Sequence, residues 1–281
     1  MHSQYRFKID QFEQVFIKNA VSFRASPKSL TGWALEFKYI EEQSKLQHPD
    51  FTTSLSHDDE NRYTNVHANE NTLVLLKNQY INANWINDRL IITQAPLSNT
   101  VYHFWDMIFN YNVKQIVMLT ELVENNTEKC YLYYPLDNQI IVDDINITLN
   151  NVQCHHDIVQ RRFCITKDNQ SKCVYHYQFS GWSDFGLPSI ESFCHLITLL
   201  NDHLITCIHC SAGLGRSGVF SVVSTIYHDI MINNSNDINI VDSILKMRLC
   251  RSGLVQTTNQ LEFCYKALYF LLQKNDCVKI N

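Results

Sequence analysis

Ile208-His-Cys-Ser-Ala-Gly-Leu-Gly-Arg-Ser-Gly218 lies between an apolar run, Leu204 to His209, that reads as a buried strand and a segment, Arg216 to Ile230, that reads as a helix. Strand, glycine-bearing turn and helix in that order curl successive backbone N–H groups around a concavity and aim the positive end of the helix into it. Gly213 and Gly215 permit the curl, and Ser211, Ala212 and Leu214 complete the ring of amides. The same field stabilises a thiolate at Cys210, the form in which cysteine acts as a nucleophile. Arg216, six residues on, presents a planar fork matched to two phosphate oxygens, a geometry that lysine does not reproduce. Ser217 is placed to donate to the sulfur and help it leave in a second step. A lone cysteine after a core strand would be an inert thiol, but this combination of residues points to phosphate chemistry. His209 reads as a buried hydrogen-bonding orienter rather than a base.

Two other readings of the cysteines fall away. Cys207 and Cys210 have CxxC spacing, yet on a strand of period two they point to opposite faces, and no second cysteine pair at zinc-ligand spacing accompanies them. Cys154-His-His156, in an expected loop, reads as surface residues. No metal and no cofactor are expected.

Working outward, the 281 residues contain only 7 Gly and 5 Pro and no Ser/Gly/Pro-rich or single-sign stretch, which favours one domain over residues 1–281. With 45% apolar residues the chain can fill a core without metals or disulfide staples. A formal charge of −5 argues against a nucleic-acid or membrane-surface binder, since both need a strongly basic face. The first residues lack the apolar core of a signal peptide, and no run approaches the ~20 apolar residues that span a bilayer. Ten scattered cysteines fit a reducing compartment, so a soluble, cytoplasmic, monomeric protein is expected.

The apolar spacing predicts an amphipathic helix over Trp33 to Leu46 carrying Trp33, Phe37, Ile40 and Leu46, and a buried strand over Val113 to Thr120. Further helices are expected from Asn99 through Ile108, from Ser189 after Pro188, and from about Thr257 to Leu272. The segment from Asp237 places Val241, Ile244, Leu245 and Leu249 on one face. This order predicts an α/β fold, a single domain with a twisted mixed β-sheet flanked by α-helices.

The loop around Cys210 resembles that of the tyrosine-specific protein phosphatases, and the resemblance runs from about Trp33 to Leu271. Asn61-Arg-Tyr-Thr-Asn-Val66 is similar to the family's phosphotyrosine-recognition loop, and Tyr80-Ile-Asn-Ala-Asn84 and Thr93-Gln-Ala-Pro-Leu97 to its strand motifs. Lys129-Cys-Tyr-Leu-Tyr-Tyr-Pro135 resembles its lysine loop, Trp182-Ser-Asp-Phe-Gly-Leu-Pro188 its acid loop, and Gln256-Thr-Thr-Asn-Gln260 its glutamine loop. The resemblance implies hydrolysis of phosphotyrosine in proteins. Asp184 would protonate the leaving tyrosine and then deprotonate the hydrolytic water. Gln256 and Gln260 would position that water, although Thr257-Thr-Asn-Gln260 also fits a helix capping box. Tyr63 would wall a deep pocket, with Asn65 and Trp182 among the substrate contacts. Glu124 would orient the arginine, and Lys129 would steer the phosphate or contact Asp184. Against the pattern, Ser183 stands where the family has Pro, and His67 to Leu73 lacks the usual Pro and Arg.

Competing functions differ at named residues. An RNA 5′-triphosphatase shares the Cys-x5-Arg loop but not Asp184 and Tyr63. A phosphoinositide phosphatase would be expected to carry Lys within the loop, where this chain has the uncharged Ser211 to Gly215. A dual-specificity phosphatase is shorter with a shallower pocket. A phosphotyrosine-binding pseudophosphatase is disfavoured by the joint presence of Cys210, Arg216 and Asp184.

Overall fold

The computed structural model describes residues 5–20, 22–23, 30–182 and 186–275. Its elements run α1 (Phe12–Ala20), α2 (Gly32–Ser44), α3 (Thr52–Leu55), β1 (Ala83–Asn87), β2 (Leu90–Thr93), α4 (Val101–Asn110), β3 (Gln115–Met118), β4 (Gln139–Val142), β5 (Ile145–His155), β6 (Ile158–Lys167) and β7 (Gln170–Phe179). Then come α5 (Ile190–Leu199), β8 (Thr206–His209), α6 (Gly215–Asn233), α7 (Ile240–Cys250) and α8 (Thr258–Lys274). Eight strands form one mixed sheet in the order β1-β2-β8-β3-β7-β6-β5-β4. β2, β8, β3 and β7 are mutually parallel, and the outer pairings are antiparallel. The predicted α/β architecture is therefore the observed one. Among the described residues, no helix is long and apolar enough to cross a membrane.

Period two along the central strands splits the core. Ile92, Val117 and Ile208 pack with α5, α6 and α8 through Phe193, Phe220 and Leu261, whereas Ile91, Ile116 and Cys207 pack with α4 through Phe104, Trp105 and Ile108. Cys207 and Cys210 fall in opposite clusters, as strand geometry requires. β8 is buried along its whole length. It delivers Cys210 at its carboxyl end, where an open α/β sheet places its ligands.

Three sequence expectations shift. Helix α4 begins at Val101 rather than Asn99, because Thr100 closes a preceding turn by hydrogen-bonding to both the N–H and the carbonyl of Leu97. Leu46 falls beyond α2, and Leu249 on α7 is 56% exposed. The buried stripe of α7 ends instead on Arg248, whose guanidinium is taken up by the carbonyls of Leu254 and Val255. Cys154 and His155 lie on β5 and His156 in the following turn. Among the described residues, no group of three or more His, Cys, Asp or Glu is arranged to hold a metal ion.

The long meander β4 to β7 was not read from the sequence. Its last hairpin turns on Asp168 and Asn169, both left-handed with φ of 51° and 60°, between the paired residues Lys167 and Gln170. That is the type I′ geometry, whose twist matches the flanking strands. Asn169→Gly should leave stability intact, whereas Asn169→Val, a β-branched residue forced to positive φ, should lower it by about 1–2 kcal/mol. Urea unfolding of the two variants tests this, and equal midpoints would contradict the turn assignment.

Candidate active site

A loop that turns its amides inward must turn its carbonyls outward, and buried carbonyls require donors. From Cys210 to Leu214 every carbonyl has one. His209 Nδ1 donates to Cys210 O (3.1 Å), Ala95 N to Ser211 O (2.9 Å), Arg251 Nη2 to Ala212 O (3.0 Å) and Arg251 Nε to Gly213 O (2.8 Å). Leu214 O accepts from Gly218 N at 2.9 Å and Val255 N at 3.3 Å. Gly213 sits at φ 69°, and a Cβ there would lie 2.2 Å from Thr93 O. At Gly215, which opens α6, a Cβ would meet Gln256 Oε1 and Gln260 Nε2, each at 2.8 Å. Gly213 is therefore required by close approach to backbone and by its left-handed conformation, whereas at Gly215, which needs no special φ, a side chain would displace the two glutamine side chains.

Arg251 was missed by sequence reading. It is fully buried, and its remaining donors meet Asn84 Oδ1 and Asn82 Oδ1, each at 2.9 Å. Burial pulls its pKa down to about 10, a sign of how strongly the site holds a charge out of water. The signal available was an arginine following the apolar stripe of α7, with no surface reason to be there.

Cys210 is 5% exposed at the floor of the loop. Ser217 Oγ is buried and has no hydrogen-bond partner among the described residues. Arg216 is gripped by Glu124 through two parallel 2.6 Å hydrogen bonds, and its Nη1 also donates to Leu119 O at 3.1 Å. Glu124 is positioned by a hairpin, Val123–Glu124 against Thr127–Glu128, turning on Asn125 and Asn126 at φ 50° and 60°. Burial raises the Glu124 carboxyl, but hydrogen bonds from Arg216 and Thr120 outweigh it, so its pKa is lowered and the pair stays ionised. Glu121 beside it is raised by burial and by the charge of Glu124.

The other expected residues divide between rim and interior. Tyr63, half-buried, joins Ser211 Oγ at 2.8 Å, and Ser211 Oγ in turn donates to Lys129 O at 2.9 Å. The loops carrying Tyr63, Cys210 and Lys129 are thus linked through one serine. Asn65 and Gln256 are exposed and Lys129 is half-buried. Gln260 Oε1 accepts from Gln256 N at 2.7 Å while Gln260 N donates to Thr257 Oγ1 at 3.2 Å, a capping arrangement set one residue upstream of the usual box. Its Nε2 remains beside Gly215. Trp182, expected among the substrate contacts, is instead 3% exposed, packed on Phe193 and Phe263, with its indole N–H on Gly186 O. Ser183 and Asp184 lie outside the described residues. Arg62, not singled out from sequence, anchors the loop carrying Tyr63 by donating to Ala95 O, Pro96 O and Glu128 Oε1.

Beneath Cys210 runs a buried chain. Tyr133 Oη lies 2.8 Å from both His176 Nε2 and His209 Nε2. Since His209 Nδ1 donates to Cys210 O, its Nε2 accepts from the tyrosine hydroxyl, which in turn accepts from His176 Nε2–H. Burial lowers His209 to about 4 and His176 well below its ordinary value, so both imidazoles are neutral. His209 thus holds the Cys210 carbonyl through a neutral imidazole.

The Protein-tyrosine phosphatase family profile matches residues 57–270. Human tyrosine-protein phosphatase non-receptor type 2 is 33% identical over 240 residues, covering 78% of this chain and 57% of that protein. Tyrosine-protein phosphatase 2 of Dictyostelium discoideum is 36% identical over 207 residues, covering 67% and 54%. Mouse tyrosine-protein phosphatase non-receptor type 20 is 34% identical over 255 residues, covering 85% and 59%. The chain thus spans between half and three fifths of the length of these relatives.

The neutral imidazoles have a pH consequence. Unfolded, each histidine binds a proton near pH 6.5; folded, His209 does so only near 4, and burial holds His176 well below its ordinary value. Their stabilising contribution is complete above about 6.5 and is lost as pH falls from there toward about 4. His209 alone adds up to about 1.4 kcal/mol per pH unit to that slope. In unfolding titrations His209→Asn should flatten the slope by this amount; parallel slopes would mean that His209 is protonated in the fold.

Proposed function

The chain belongs to the protein-tyrosine phosphatase family, and from that premise we propose that it hydrolyses phosphotyrosine in proteins through a cysteinyl-phosphate intermediate. The observation that carries the reading is the loop itself. Five consecutive carbonyls are bound from outside, so their amides are committed to the concavity whose floor is Cys210. Beside it stands an arginine locked in plane by a bidentate carboxylate. Preorganised donors of this kind stabilise the charge spread over a transferring phosphoryl group.

In the first step the Cys210 sulfur attacks phosphorus, the S–P bond forms, and the P–O bond to tyrosine breaks. The proton that the phenolate takes up comes from the carboxyl of Asp184. In the second step water attacks phosphorus, the S–P bond breaks, and the water proton passes to the Asp184 carboxylate. Arg216 holds two phosphoryl oxygens through both steps. The unpartnered hydroxyl of Ser217 supports a role in stabilising the departing thiolate. Gln256, exposed beside Gly215, is suited to orient the water. The Tyr63–Ser211 contact supports a preference for phosphotyrosine, because a phosphoryl group in the nest must reach past the phenol ring. No metal or cofactor enters these steps.

Turnover of phosphotyrosine peptides, phosphoserine peptides, phosphoinositides and 5′-triphosphorylated RNA, measured side by side, tests the substrate class. Only the first should turn over appreciably, and equal rates on RNA would overturn the proposal. Cys210→Ser should abolish turnover while keeping phosphotyrosine affinity, since the amides and Arg216 remain. Binding without turnover by the unaltered chain would instead identify a pseudophosphatase. Asp184→Ala should lower kcat by about 10²–10⁴ on phosphotyrosine and less on esters whose leaving group needs no proton. Equal losses on both would remove Asp184 from the role of acid.

A further inference from the structure

The hairpin of β6 and β7 brings two free cysteines face to face. In a two-residue hairpin the pair flanking the turn, here Lys167 and Gln170, is hydrogen-bonded, and the pairs alternate from there. Following the register, Thr166–Ser171 is non-hydrogen-bonded, Ile165–Lys172 hydrogen-bonded, and Cys164–Cys173 again non-hydrogen-bonded. Partners at such positions stand with Cα atoms about 4.5 Å apart and their side chains at their closest. A disulfide requires Cα atoms about 4.4–6.8 Å apart. The neighbouring pair on the same face reports this closeness directly, with Thr166 Oγ1 and Ser171 Oγ 3.0 Å apart.

The surroundings suit oxidation. Cys173 is exposed and Cys164 half-buried. Arg162 Nη2 donates to Cys173 Sγ at 3.6 Å, so the sulfur a small oxidant reaches first has a cation beside it. Apart from Cys210, the other described thiols are less apt. Burial pushes those of Cys130, Cys207 and Cys264 up, and that of Cys194 up to about 12. Cys154 is exposed, but its cross-strand partner is Val159.

We propose that Cys164 and Cys173 form a reversible oxidation site, a dithiol that hydrogen peroxide converts to a cross-strand disulfide. The Cys173 sulfur attacks peroxide, the O–O bond breaks, a sulfenic acid forms and one water leaves. The Cys164 sulfur then attacks the Cys173 sulfur, the S–S bond forms, and the S–O bond breaks to release a second water. Two thiols are oxidised and one peroxide is reduced to two waters. Exposed disulfides of this kind are the readily reduced ones, so a dithiol reductant reverses the change.

The test uses the full chain and its Cys210→Ser variant, so that oxidation of the nucleophile does not confuse the result. Hydrogen peroxide is raised until Cys154, the internal gauge, is oxidised. Free thiols are then capped with iodoacetamide, and the protein is cut without reductant by trypsin and chymotrypsin. Lys167 and Lys172 separate the two cysteines, so a disulfide appears as two linked peptides lighter by two hydrogens. The link should form before Cys154 reacts, vanish with dithiothreitol, and occur equally in both chains. In Cys173→Ser, a change on the exposed face whose folding is checked by its unfolding midpoint, the link should be absent and Cys164 capped. Capped Cys164 and Cys173 after Cys154 is oxidised, or a link from either to another cysteine, would overturn the proposal.

Discussion

The structure depends on one constraint. A backbone that gathers its amides around an anion exposes the opposite side of every peptide unit, and in a buried loop those carbonyls must be met. Here the donors come from Ala95 after β2, His209 at the end of β8, Val255 before α8, Arg251 after α7 and the first turn of α6. Elements far apart in sequence thus converge on five residues. An anion-binding loop of this shape exists only inside a completed fold, since no local segment supplies its outer donors.

Meeting that constraint loads strain and charge onto neighbours. Arg251 carries a cation into the interior and is tolerated because Asn82 and Asn84, on the approach to and within β1, accept from it. Val255 lies at φ 59°, a region costly for a β-branched residue. It stays there because its N–H donates to Leu214 O while its carbonyl accepts from Arg248 Nη2 at 2.7 Å. Arg248 is held in turn by Glu41 at 2.7 Å and Ser44 at 2.9 Å on α2. Strain at the loop is therefore braced by charge-assisted bonds reaching to the first long helix.

The same logic explains why the supporting carboxylate and the histidines are buried. Glu124 locks the Arg216 plane only because its own oxygens are consumed by Arg216, Thr120 and Glu121 N. The His176–Tyr133–His209 chain ends on Cys210 O and crosses to the α4 side of the sheet, where Tyr133 O accepts the indole N–H of Trp105 at 2.7 Å. Packing around α4 thereby reaches Cys210 through neutral hydrogen bonds, which tolerate burial without leaving a charge unpaired.

Local sequence determined the loop, the strand beneath it and the helix beyond it, because glycine placement, apolar period and the Cys-to-Arg spacing act over a few neighbouring residues. It also determined the α/β class and, through ordered motifs, the family. Only the tertiary structure decided which distant side chains complete the site. Arg62 and Tyr133 stand within quoted motifs and Arg251 follows an apolar stripe, but neither those neighbours nor those of His176 specify the distant groups that each of the four side chains meets. The structure alone also decided that Leu249 is exposed and Trp182 buried, because a helix stripe and an acid-loop motif specify spacing but not what packs opposite. The meander β4 to β7 escaped because several of its strands are partly exposed on both faces and alternate weakly, so their pairing rests on tight turns at Asp143, His156 and Asp168–Asn169. Side-chain burial and hydrogen-bond pairing are relations between segments, and a chain acquires them only when it folds.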